Sequence, residues 1–297
     1  MTERPPTLSV GLAVRNGVDV VGRCIESIVS QDFTDLELVI SDNASDDATT
    51  ELLEEYARAD RRIKVSVNKV NIGIHENMDR VLELSHGELF RWISSDDWLE
   101  PGSLSACVRA LRTREEAIGV TTYFTIHTAD GSARYEEYRG EFPTSPDPAR
   151  RFERMLWFFH AGDAKYDPIY GMYRREVLMR SHRHSSSEQA DWLLSAELAL
   201  MGPIIHVDRR LATRTRSYPV KVDRVALRHR LDPIRGDDLK SSTRRLRRDL
   251  LALVMAADLT EEQVRRCKRA LRRFSMAEMA RRGRARASQA RDRLTRR

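Results

Sequence analysis

Two adjacent carboxylates, Asp96 and Asp97, are the side chains of this sequence whose position most directly indicates chemistry. They follow an apolar run, residues 89–93, that predicts a buried strand. Two carboxylates at the end of such a strand repel each other, and each is costly to remove from water. A divalent cation bridging to a phosphate would offset this cost, because Mg²⁺ and Mn²⁺ prefer oxygen ligands. The alternative is an acidic turn that caps the next helix.

The elements before this pair alternate between strand and helix. Short apolar, β-prone runs at 8–14, 36–40 and 63–67 predict strands, and apolar residues at helical spacing follow each of them. This alternation predicts an α/β fold, a mostly parallel central sheet with helices on both faces. The chain is long enough for one large domain, or for one domain with an appendage.

Polar residues stand at the end of each predicted strand of this half. They are Arg15 and Asn16, Asp42 and Asn43, Asn71 and Gly73, and finally the Asp96-Asp97 pair. Ligands of open parallel sheets bind outside the carboxyl ends of the strands, so these residues should share one edge. The sequence has no glycine-rich phosphate-binding loop. A bound nucleotide would need another source of positive charge, and a cation held by Asp96 is the natural candidate.

The second half gives a weaker pattern. Residues 118–125 predict a strand, Asp130-Gly131 predicts a hairpin turn, and 204–207 and 211–216 predict two closing strands. The aromatic run 152–159 has helical spacing and could line an acceptor cleft. Aromatic residues at helical spacing are more often part of the core, and we favour that interpretation.

Charge is distributed unevenly along the 297 residues, whose formal net charge is +6. Residues 241–297 alone carry a net charge of +12, so the preceding part is acidic overall. This tail contains an apolar stripe with Leu246 and Leu250, followed by a capping box that begins at Thr260. We expect a basic helical extension over 236–297, either a solvated helix or a contact with an anionic membrane surface. No aromatic motif accompanies its arginines, so we expect no nucleic-acid partner.

Targeting segments and disulfides are not expected. No apolar run is long enough to span a bilayer, and the first residues lack the apolar core of a signal peptide. The three cysteines, Cys24, Cys107 and Cys267, are odd in number and far apart. This usage fits a reducing cytoplasm better than a disulfide framework or a zinc site.

Several of these segments, taken in order, resemble the family 2 glycosyltransferases with the GT-A fold. The resemblance covers roughly residues 7–217. It rests on Val14-Arg15-Asn16-Gly17, on the segment 40–49 with Asp42, on Asn71-Ile72-Gly73 with Asn77, and on the stretch 87–97. Each match alone is weak, but four in the right order at strand ends are strong. Ser94 stands at the first acidic position of the family's metal motif, while Ala13 and Ala48 replace a usual proline and glycine.

This resemblance implies a nucleotide-sugar site in residues 1–112. Asp42 would accept a hydrogen bond from the base. Asp96, with Asp97 close behind, would hold Mg²⁺ or Mn²⁺ against the diphosphate. The alternative for Asp42 and Asn43 is a turn-forming and helix-capping role. The other expected contacts to the nucleotide-sugar are Val14, Arg15, Asn16, Asn43, Asn71, Gly73, Asn77 and Ser95.

The same resemblance implies an acceptor side in residues 113–220. Gly171 would let the chain pass close to the sugar, with Arg174 nearby. An acidic residue at the start of a buried helix would be the catalytic base, and Asp191 matches best, with Glu188 second. The alternative is a carboxylate that interacts with the helix dipole. No His aligns with one that relatives often place near the metal, and whether Arg214 or Arg216 takes its place stays open.

The resemblance predicts a metal-dependent, inverting glycosyltransferase with a domain over residues 1–220. Its donor would be a UDP-, GDP- or dTDP-linked sugar, and its acceptor a glycan, a lipid-linked sugar or a small molecule. The expected location is the cytoplasm, at the inner face of the membrane if the tail binds there. Two alternatives are a non-catalytic nucleotide-sugar-binding or scaffold protein of the same fold, and an RNA- or membrane-associated protein that acts through its tail.

Overall fold

The structure is a computed structural model that describes residues 4–128, 130–161, 166–182, 189–216 and 243–294, together with residues 229 and 233. Within these residues the chain is built on one mixed sheet. Its strands within these residues follow the order β3-β2-β1-β4-β8-β6-β9-β5, and β7 pairs with β6. The strands are β1 (Leu8–Val14), β2 (Leu36–Asp42), β3 (Ile63–Val67), β4 (Leu89–Ser94), β5 (Trp98–Leu99), β6 (Gly119–Thr128), β7 (Ala133–Arg134), β8 (Met172–Arg174) and β9 (Ile204–Arg216).

Helices cover both faces of this sheet. They are α1 (Val21–Val29), α2 (Thr49–Ala59), α3 (Ile74–Glu83), α4 (Ser103–Thr113), α5 (Pro148–Ala161), α6 (Arg175–Arg180), α7 (Ala190–Met201), α8 (Thr243–Ala256) and α9 (Glu261–Leu294). Buried side chains of α1, α2 and α4 join one core cluster, and those of α3, α5, α6 and α7 join the cluster on the other face. This arrangement confirms the predicted α/β fold.

The first four strands along the chain are parallel and in register at their carboxyl ends. Ala13 lies opposite Ser94 on β4, and Val14 lies opposite Asp42 on β2. Gly11 lets α3 and β4 approach β1 closely, because a Cβ there would lie 2.4 Å from the ring of Phe90. The register therefore brings the polar ends of three predicted strands to one edge of the sheet.

The second half of the sheet changes direction. β8 runs antiparallel to both β4 and β6, whereas β9 runs parallel to β6. The predicted hairpin at Asp130-Gly131 is confirmed by the pairing of β6 with β7. The prediction of two closing strands was wrong, because β9 is continuous and its register with β6 shifts at Tyr123. The polar stretch 208–210 that separated the two predicted strands is exposed while it stays in the strand.

The C-terminal extension packs against the rest of the protein through an apolar cluster that we call the C-terminal core. Residues of α5, α7, α8 and α9 contribute to it, including Phe152, Leu193, Leu250 and Phe274. The predicted capping box forms, because the Gln263 amide donates to Thr260 Oγ1 and the Thr260 amide donates to Gln263 Oε1. The extension thus supports α5 and α7 directly. In the described part of the chain, no helix has the length and apolarity needed to cross a membrane.

Truncating Leu250 should destabilise the protein through the C-terminal core. Its side chain is 0 % exposed, and loss of a buried leucine costs about 2–5 kcal/mol through lost apolar contacts and a residual cavity. We expect Leu250→Ala to lower the free energy of unfolding by that amount in urea titrations. Met255→Ala on the same helix is the control, since Met255 is 58 % exposed and its loss should cost less than about 0.5 kcal/mol. Equal effects of the two substitutions would contradict this packing.

Candidate active site

A cleft of about 710 Å³ opens at the carboxyl edge of the parallel strands. This size lies within the range of small-molecule sites. The cleft brings together residues from both halves of the chain, including Arg15, Asn71, Asp96, Asp191 and Arg214. Of the predicted nucleotide-sugar contacts, the cleft is lined by Val14, Arg15, Asn16, Asn43, Asn71, Asn77, Ser95 and Asp96.

The loops after β1 and β2 are tied together at one side of the cleft. The Arg15 guanidinium donates to the carbonyl oxygens of Asn43 and Ala44, at 3.1 and 2.5 Å, and pairs with Asp46 at 3.0 Å. Asn16 and Ala44 both have a positive φ, of 52° and 55°, which is costly for residues with a Cβ. Arg15 thus uses much of its hydrogen-bonding capacity to fix the loop that faces the cleft.

A buried network of amide side chains joins the ends of β2 and β3 to the start of α3. Asn43 donates to Asn71 Oδ1 at 2.8 Å and to the Gly73 carbonyl at 3.2 Å. Asn77 accepts from Ser41 Oγ at 2.7 Å and from Asn68 at 2.9 Å. Gly73 has a φ of 89°, which explains why glycine stands there. Because these amides bond mainly to one another, the network rigidifies the cleft wall.

The contacts of Asp42 indicate a structural role. Its side chain is 0 % exposed and does not line the cleft. One carboxylate oxygen accepts from Ser45 Oγ at 2.5 Å and from the Ser45 amide at 3.1 Å, and the other accepts from Thr50 Oγ1. This is the turn-forming arrangement that was part of the alternative to base binding, whereas Asp42 caps no helix, since α2 begins without a side-chain cap. Contact with a base would require the buried Asp42 carboxylate to become accessible from the cleft, so that role stays a prediction.

Asp96 and Asp97 differ sharply in environment although they are adjacent. Asp96 is partly exposed at the cleft and accepts a hydrogen bond from Ser94 Oγ at 2.6 Å. Asp97 is 5 % exposed, and its two oxygens accept from the Thr215 amide at 2.9 Å and from Arg214 Nε at 3.4 Å. Asp96 is therefore the carboxylate of this pair that is open to a ligand, while Asp97 anchors β9.

Arg214 lies between two carboxylates. Its guanidinium pairs with Asp97 and with Asp167, and it lies over the Tyr170 ring at 4.2 Å. Burial raises the pKa of Asp97 to about 7, assisted by Asp96 and opposed by Arg214. Burial alone would lower the pKa of Arg214, but Asp167, Tyr170 and Asp97 outweigh it and raise that pKa above its ordinary value. Arg214 is therefore a firmly charged cation at the floor of the cleft.

Asp191 lies in the first turn of α7 and lines the same cleft. Residues Leu193, Leu194, Ala196 and Leu198 bury the rest of this helix, which fixes the direction of its N-terminus. Asp191 itself is exposed, and its backbone carbonyl accepts from Ser195 Oγ at 2.6 Å. The second candidate base, Glu188, lies outside the described residues, as does the side chain of Arg216.

The predicted acceptor contacts Gly171 and Arg174 lie elsewhere. Because β8 is antiparallel to β4, Arg174 is opposite Leu89 at the far end of β4 from Asp96. Its guanidinium donates to backbone carbonyls that include Ala117, at 2.9 Å. A Cβ at Gly171 would lie 2.9 Å from the Val120 carbonyl, so this glycine permits close approach to β6. Neither residue lines the cleft, although Gly171 lines a small pocket together with Asp97, Asp167 and Arg214, and a contact of either residue with a sugar stays a prediction.

Three further residues line the cleft, namely Asp167, Tyr170 and Thr215; sequence reasoning kept Asp167 only as a fallback candidate for the base and assigned no role to the other two. Asp167 precedes a short 3₁₀ turn, Pro168–Tyr170, that ends in Tyr170, and Thr215 contributes its backbone amide from β9. The signal for Asp167 was present in the Asp167-Pro168 turn before Gly171. Almost any residue type carries a backbone amide, so the sequence could not indicate that Thr215 donates its amide to Asp97.

The donor set at the cleft fits a divalent cation that is shared with a ligand. Within the described part of the chain, no three His, Cys, Asp or Glu side chains form a complete metal cage. Mg²⁺ characteristically uses one or two carboxylates together with phosphate oxygens and water. The partly exposed Asp96 carboxylate suits that mode, since Ser94 holds it in place.

Comparison with known proteins gives the class that this fold and cleft define. A family model described as glycosyl transferase family 2 matches residues 9–180, which is more than half of the chain. The chain therefore belongs to glycosyltransferase family 2. The match begins in β1 and ends with α6, so it includes Asp96, Asp97 and Asp167 but not Asp191 or Arg214.

Individual relatives and solved structures agree with this class. The putative glycosyltransferase EpsH of Bacillus subtilis is 35% identical over 108 residues, which are 36% of this chain and 30% of EpsH. The chain thus spans less than a third of that relative. TarS 1-349 of S. aureus, solved in complex with UDP-GlcNAc, has a TM-score of 0.64 at 17% identity, covering 90% of this chain and 71% of that one. The likeness to TarS shows the GT-A type of fold.

A second solved structure extends the comparison of the fold. It is the mannosyltransferase PcManGT from Pyrobaculum calidifontis in complex with GDP-Man and Mn²⁺. Its TM-score is 0.53 at 16% identity, and the match covers 96% of this chain and 81% of that chain. The similarity reaches into the C-terminal region, beyond the segment matched by the family model.

Proposed function

We propose that this protein transfers a sugar from a nucleotide-sugar donor to an acceptor hydroxyl by a single, inverting displacement. The observation that carries the proposal is that one cleft joins Asp96, at the end of β4, to Asp191, at the start of α7. These are the carboxylates needed at the two ends of such a reaction, one near the leaving diphosphate and one near the attacking hydroxyl. Family membership supports the same reaction class.

The donor would lie along the edge formed by β1, β2 and β4. Val14, Asn16, Asn43 and Asn71 line the part of the cleft next to the two tied loops, which suits a base and ribose. The diphosphate would then reach Asp96. Relatives in fold were solved with UDP-GlcNAc and with GDP-Man and Mn²⁺, which supports a nucleotide-sugar donor and a divalent cation here. A cation held by Asp96 would supply positive charge to the diphosphate.

The residues of this chain perform the remaining steps. Asp191 accepts the proton of the acceptor hydroxyl while the hydroxyl oxygen bonds to the anomeric carbon. The bond from that carbon to the diphosphate breaks on the opposite face, and its electron pair leaves with the diphosphate. Arg214 stands at the cleft floor, where its fixed charge can stabilise the leaving group. Asp97 and Asp167 hold the Arg214 guanidinium at that position.

A binding panel tests the donor part of this proposal. UDP-, GDP- and dTDP-linked sugars are added to the full-length protein with Mn²⁺, and thermal unfolding is followed. We expect one nucleotide class to raise the unfolding temperature in a concentration-dependent manner, because a ligand that binds the native state stabilises it. If no nucleotide-sugar shifts unfolding at millimolar concentration, the cleft is not a donor site.

Replacing Arg214 should weaken diphosphate binding whether or not a metal is added. Arg214→Gln removes the fixed cation and leaves Asp97 and Asp167 facing each other without it. We expect the affinity for the nucleoside diphosphate to fall roughly tenfold or more, since charge-assisted hydrogen bonds are worth about 1.5–3 kcal/mol. Isothermal calorimetry measures this directly.

The control for this experiment is Arg214→Lys, which keeps the charge and should retain part of the affinity. Thermal unfolding of both variants separates a binding effect from lost stability, because breaking a buried ion pair is itself destabilising. Full affinity in a folded Arg214→Gln variant would remove Arg214 from the donor site.

We propose that the C-terminal extension contacts an anionic membrane surface through one face of α9. Arg269 and Arg272 are exposed on this face, and Met276 and Met279 follow on it with exposed fractions of 67 % and 58 %. Basic side chains beside exposed apolar ones suit the interface of an acidic lipid layer. Such a contact would hold the enzyme at the inner face of the membrane, close to lipid-linked acceptors.

Charge reversal on α9 tests this contact without disturbing the C-terminal core. Each basic residue near such a surface contributes about 1 kcal/mol, so Arg269→Glu with Arg272→Glu should weaken vesicle binding roughly tenfold or more. Co-sedimentation with phosphatidylserine vesicles measures it. The matched control is Arg58→Glu with Arg61→Glu, which changes the net charge equally near α2. Equal loss in both double variants would contradict a contact through α9.

A further inference from the structure

A second cavity, of about 330 Å³, adjoins the cleft on its acceptor side. We propose that this cavity is an acceptor subsite that binds a pyranose ring, so that the acceptor is a glycoside. The inference deepens the proposed function and rests on it, since it names the class of molecule whose hydroxyl is presented to Asp191.

Two helices and one turn form the walls of this acceptor cavity. From α5 come Met155, Phe158 and Phe159, which lie on one helical face. From α7 come Asp191, Trp192 and Ser195, and the segment 166–168 closes the third side. The cavity is large enough to hold a ring-sized group and falls at the lower end of small-molecule sites.

The acceptor cavity is continuous with the donor cleft through shared residues. Asp167 and Asp191 line both spaces. A ring seated in the cavity would therefore have a hydroxyl beside Asp191, which is the geometry that proton removal requires. A cavity remote from the proposed base could not serve the reaction in this way.

An aromatic platform at the cavity is formed by Phe159 and Trp192, which stack face to face, so that only an outer face of the pair can pack against a ligand. The two rings stack with centroids 4.8 Å apart and an angle of 8° between their planes. Phe274 of α9 packs edge-on against both rings, each at 6.1 Å. Both platform residues are partly exposed, whereas Phe158 and Met155 are buried beneath them. The C-terminal extension thus holds in place a surface that remains open to a ligand.

The lining chemistry matches a sugar ring better than an acyl chain. A pyranose has an apolar face of C–H groups, which packs on an aromatic ring, and a rim of hydroxyl donors. The cavity is lined by both partners, the aromatic platform and the carboxylates of Asp167 and Asp191. Carboxylates are acceptors for hydroxyl donors, whereas an acyl chain would leave them desolvated beside methylene groups.

From its sequence spacing, we favoured the core over an acceptor cleft for the aromatic run of α5. In the structure, Phe152, Met155 and Phe158 of this run are buried, whereas Phe159 is partly exposed and lines the cavity. Trp157 lies on the other side of the helix, 43 % exposed and next to Tyr138 at 5.1 Å. This division supplies a matched control for the aromatic platform.

Saturation-transfer NMR with a set of methyl pyranosides tests the subsite. The set contains the glucosides, galactosides, mannosides, N-acetylglucosaminides and N-acetylgalactosaminides, each added to the full-length protein. We expect at least one to bind saturably, with the strongest transfer to ring protons of one face. Trp192→Leu should weaken that binding roughly fivefold, the worth of one aromatic stacking contact. Trp192→Phe should keep most of it, and Trp157→Leu should leave it unchanged.

Three results would overturn the subsite. They are binding of no pyranoside in the set, equal binding by wild type and a folded Trp192→Leu variant, and displacement of the bound pyranoside by UDP, GDP or dTDP. Displacement would place the sugar in the donor cleft. Nucleotide binding is measured separately by calorimetry, so failure of the subsite is distinguishable from failure of the proposed function. Pyranoside binding without nucleotide binding would support the cavity and reject the donor cleft.

Discussion

Asp96→Asn should abolish sugar transfer and remove the part of nucleotide affinity that depends on Mn²⁺. Asparagine has the same shape and can still accept from Ser94 Oγ, so the fold should be unaffected. It lacks the negative charge that would hold a divalent cation beside the diphosphate. Metal-assisted stabilisation of a leaving group supplies several kcal/mol, so we expect transfer to fall roughly 10³-fold or more. Calorimetry with the nucleoside diphosphate, with and without Mn²⁺, measures the binding part.

The control for Asp96→Asn is the same change at Asp258, an exposed residue between α8 and α9. The Asp258→Asn variant should bind the nucleoside diphosphate and transfer sugar like the wild type. Metal-dependent binding that persists unchanged in Asp96→Asn would show that another residue holds the cation. Asp97 would then be the next candidate, and its contacts with Arg214 and Thr215 would have to rearrange.

Asp191→Asn should leave donor and metal binding close to wild type while it lowers the transfer rate roughly 10²-fold or more. That factor is the usual contribution of a positioned general base. Asp191 lines the same cleft as the proposed donor contacts and is exposed in the first turn of α7. The measurement is single-turnover transfer at saturating donor, with donor affinity determined in parallel.

Glu188→Gln and Asp167→Asn are the comparisons for this base. Glu188→Gln should have a much smaller effect on the rate. A large rate loss in Glu188→Gln alone would move the base upstream, and loss of donor binding in Asp191→Asn would indicate a donor-site role. If Asp191→Asn and Glu188→Gln both transfer sugar at the normal rate, the next candidates from the sequence are Asp167 and Asp163, of which Asp163 lies outside the described residues.

The fold of residues 1–112 was predictable because the sequence patterns that indicate its strands and helices are local. Strands such as Leu8–Val14 and Ile63–Val67 are contiguous apolar or alternating runs, and helices follow them with clear spacing. Parallel topology then forces their carboxyl ends to one edge, which is why residues as distant as Asn16, Asn71 and Asp96 line one cleft.

The features of the site that could not be predicted depend on contacts between residues that are distant in sequence. The division of roles between Asp96 and Asp97 is set by Arg214 and Thr215, which arrive on β9 through pairing with β6 and β5. The three residues of β8 carry no signal for strand direction, so the sequence could not indicate that Arg174 lies opposite Leu89, at the end of β4 remote from Asp96. The burial of Asp42 likewise depends on Ser45 and Thr50, whose side chains turn back onto it.

The role of the C-terminal extension also emerged only from packing. Its charge dominates its sequence, yet Leu246, Leu250 and Val254 bury their side chains against α5 and α7. Removing the extension would therefore expose the C-terminal core and loosen the helix that carries Asp191. Substitutions on its exposed face are consequently more informative than truncation.

Turnover by the purified full-length protein tests the central claim most directly. Each nucleotide-sugar of the panel is incubated with the protein and Mn²⁺, with and without the methyl pyranosides, and release of the nucleoside diphosphate is followed. The account predicts that one donor is consumed, that a pyranoside accelerates its consumption, and that chelation or Asp96→Asn stops it. A folded protein that binds a nucleotide-sugar but releases no nucleoside diphosphate under any of these conditions would contradict catalysis and leave a binding protein of the same fold.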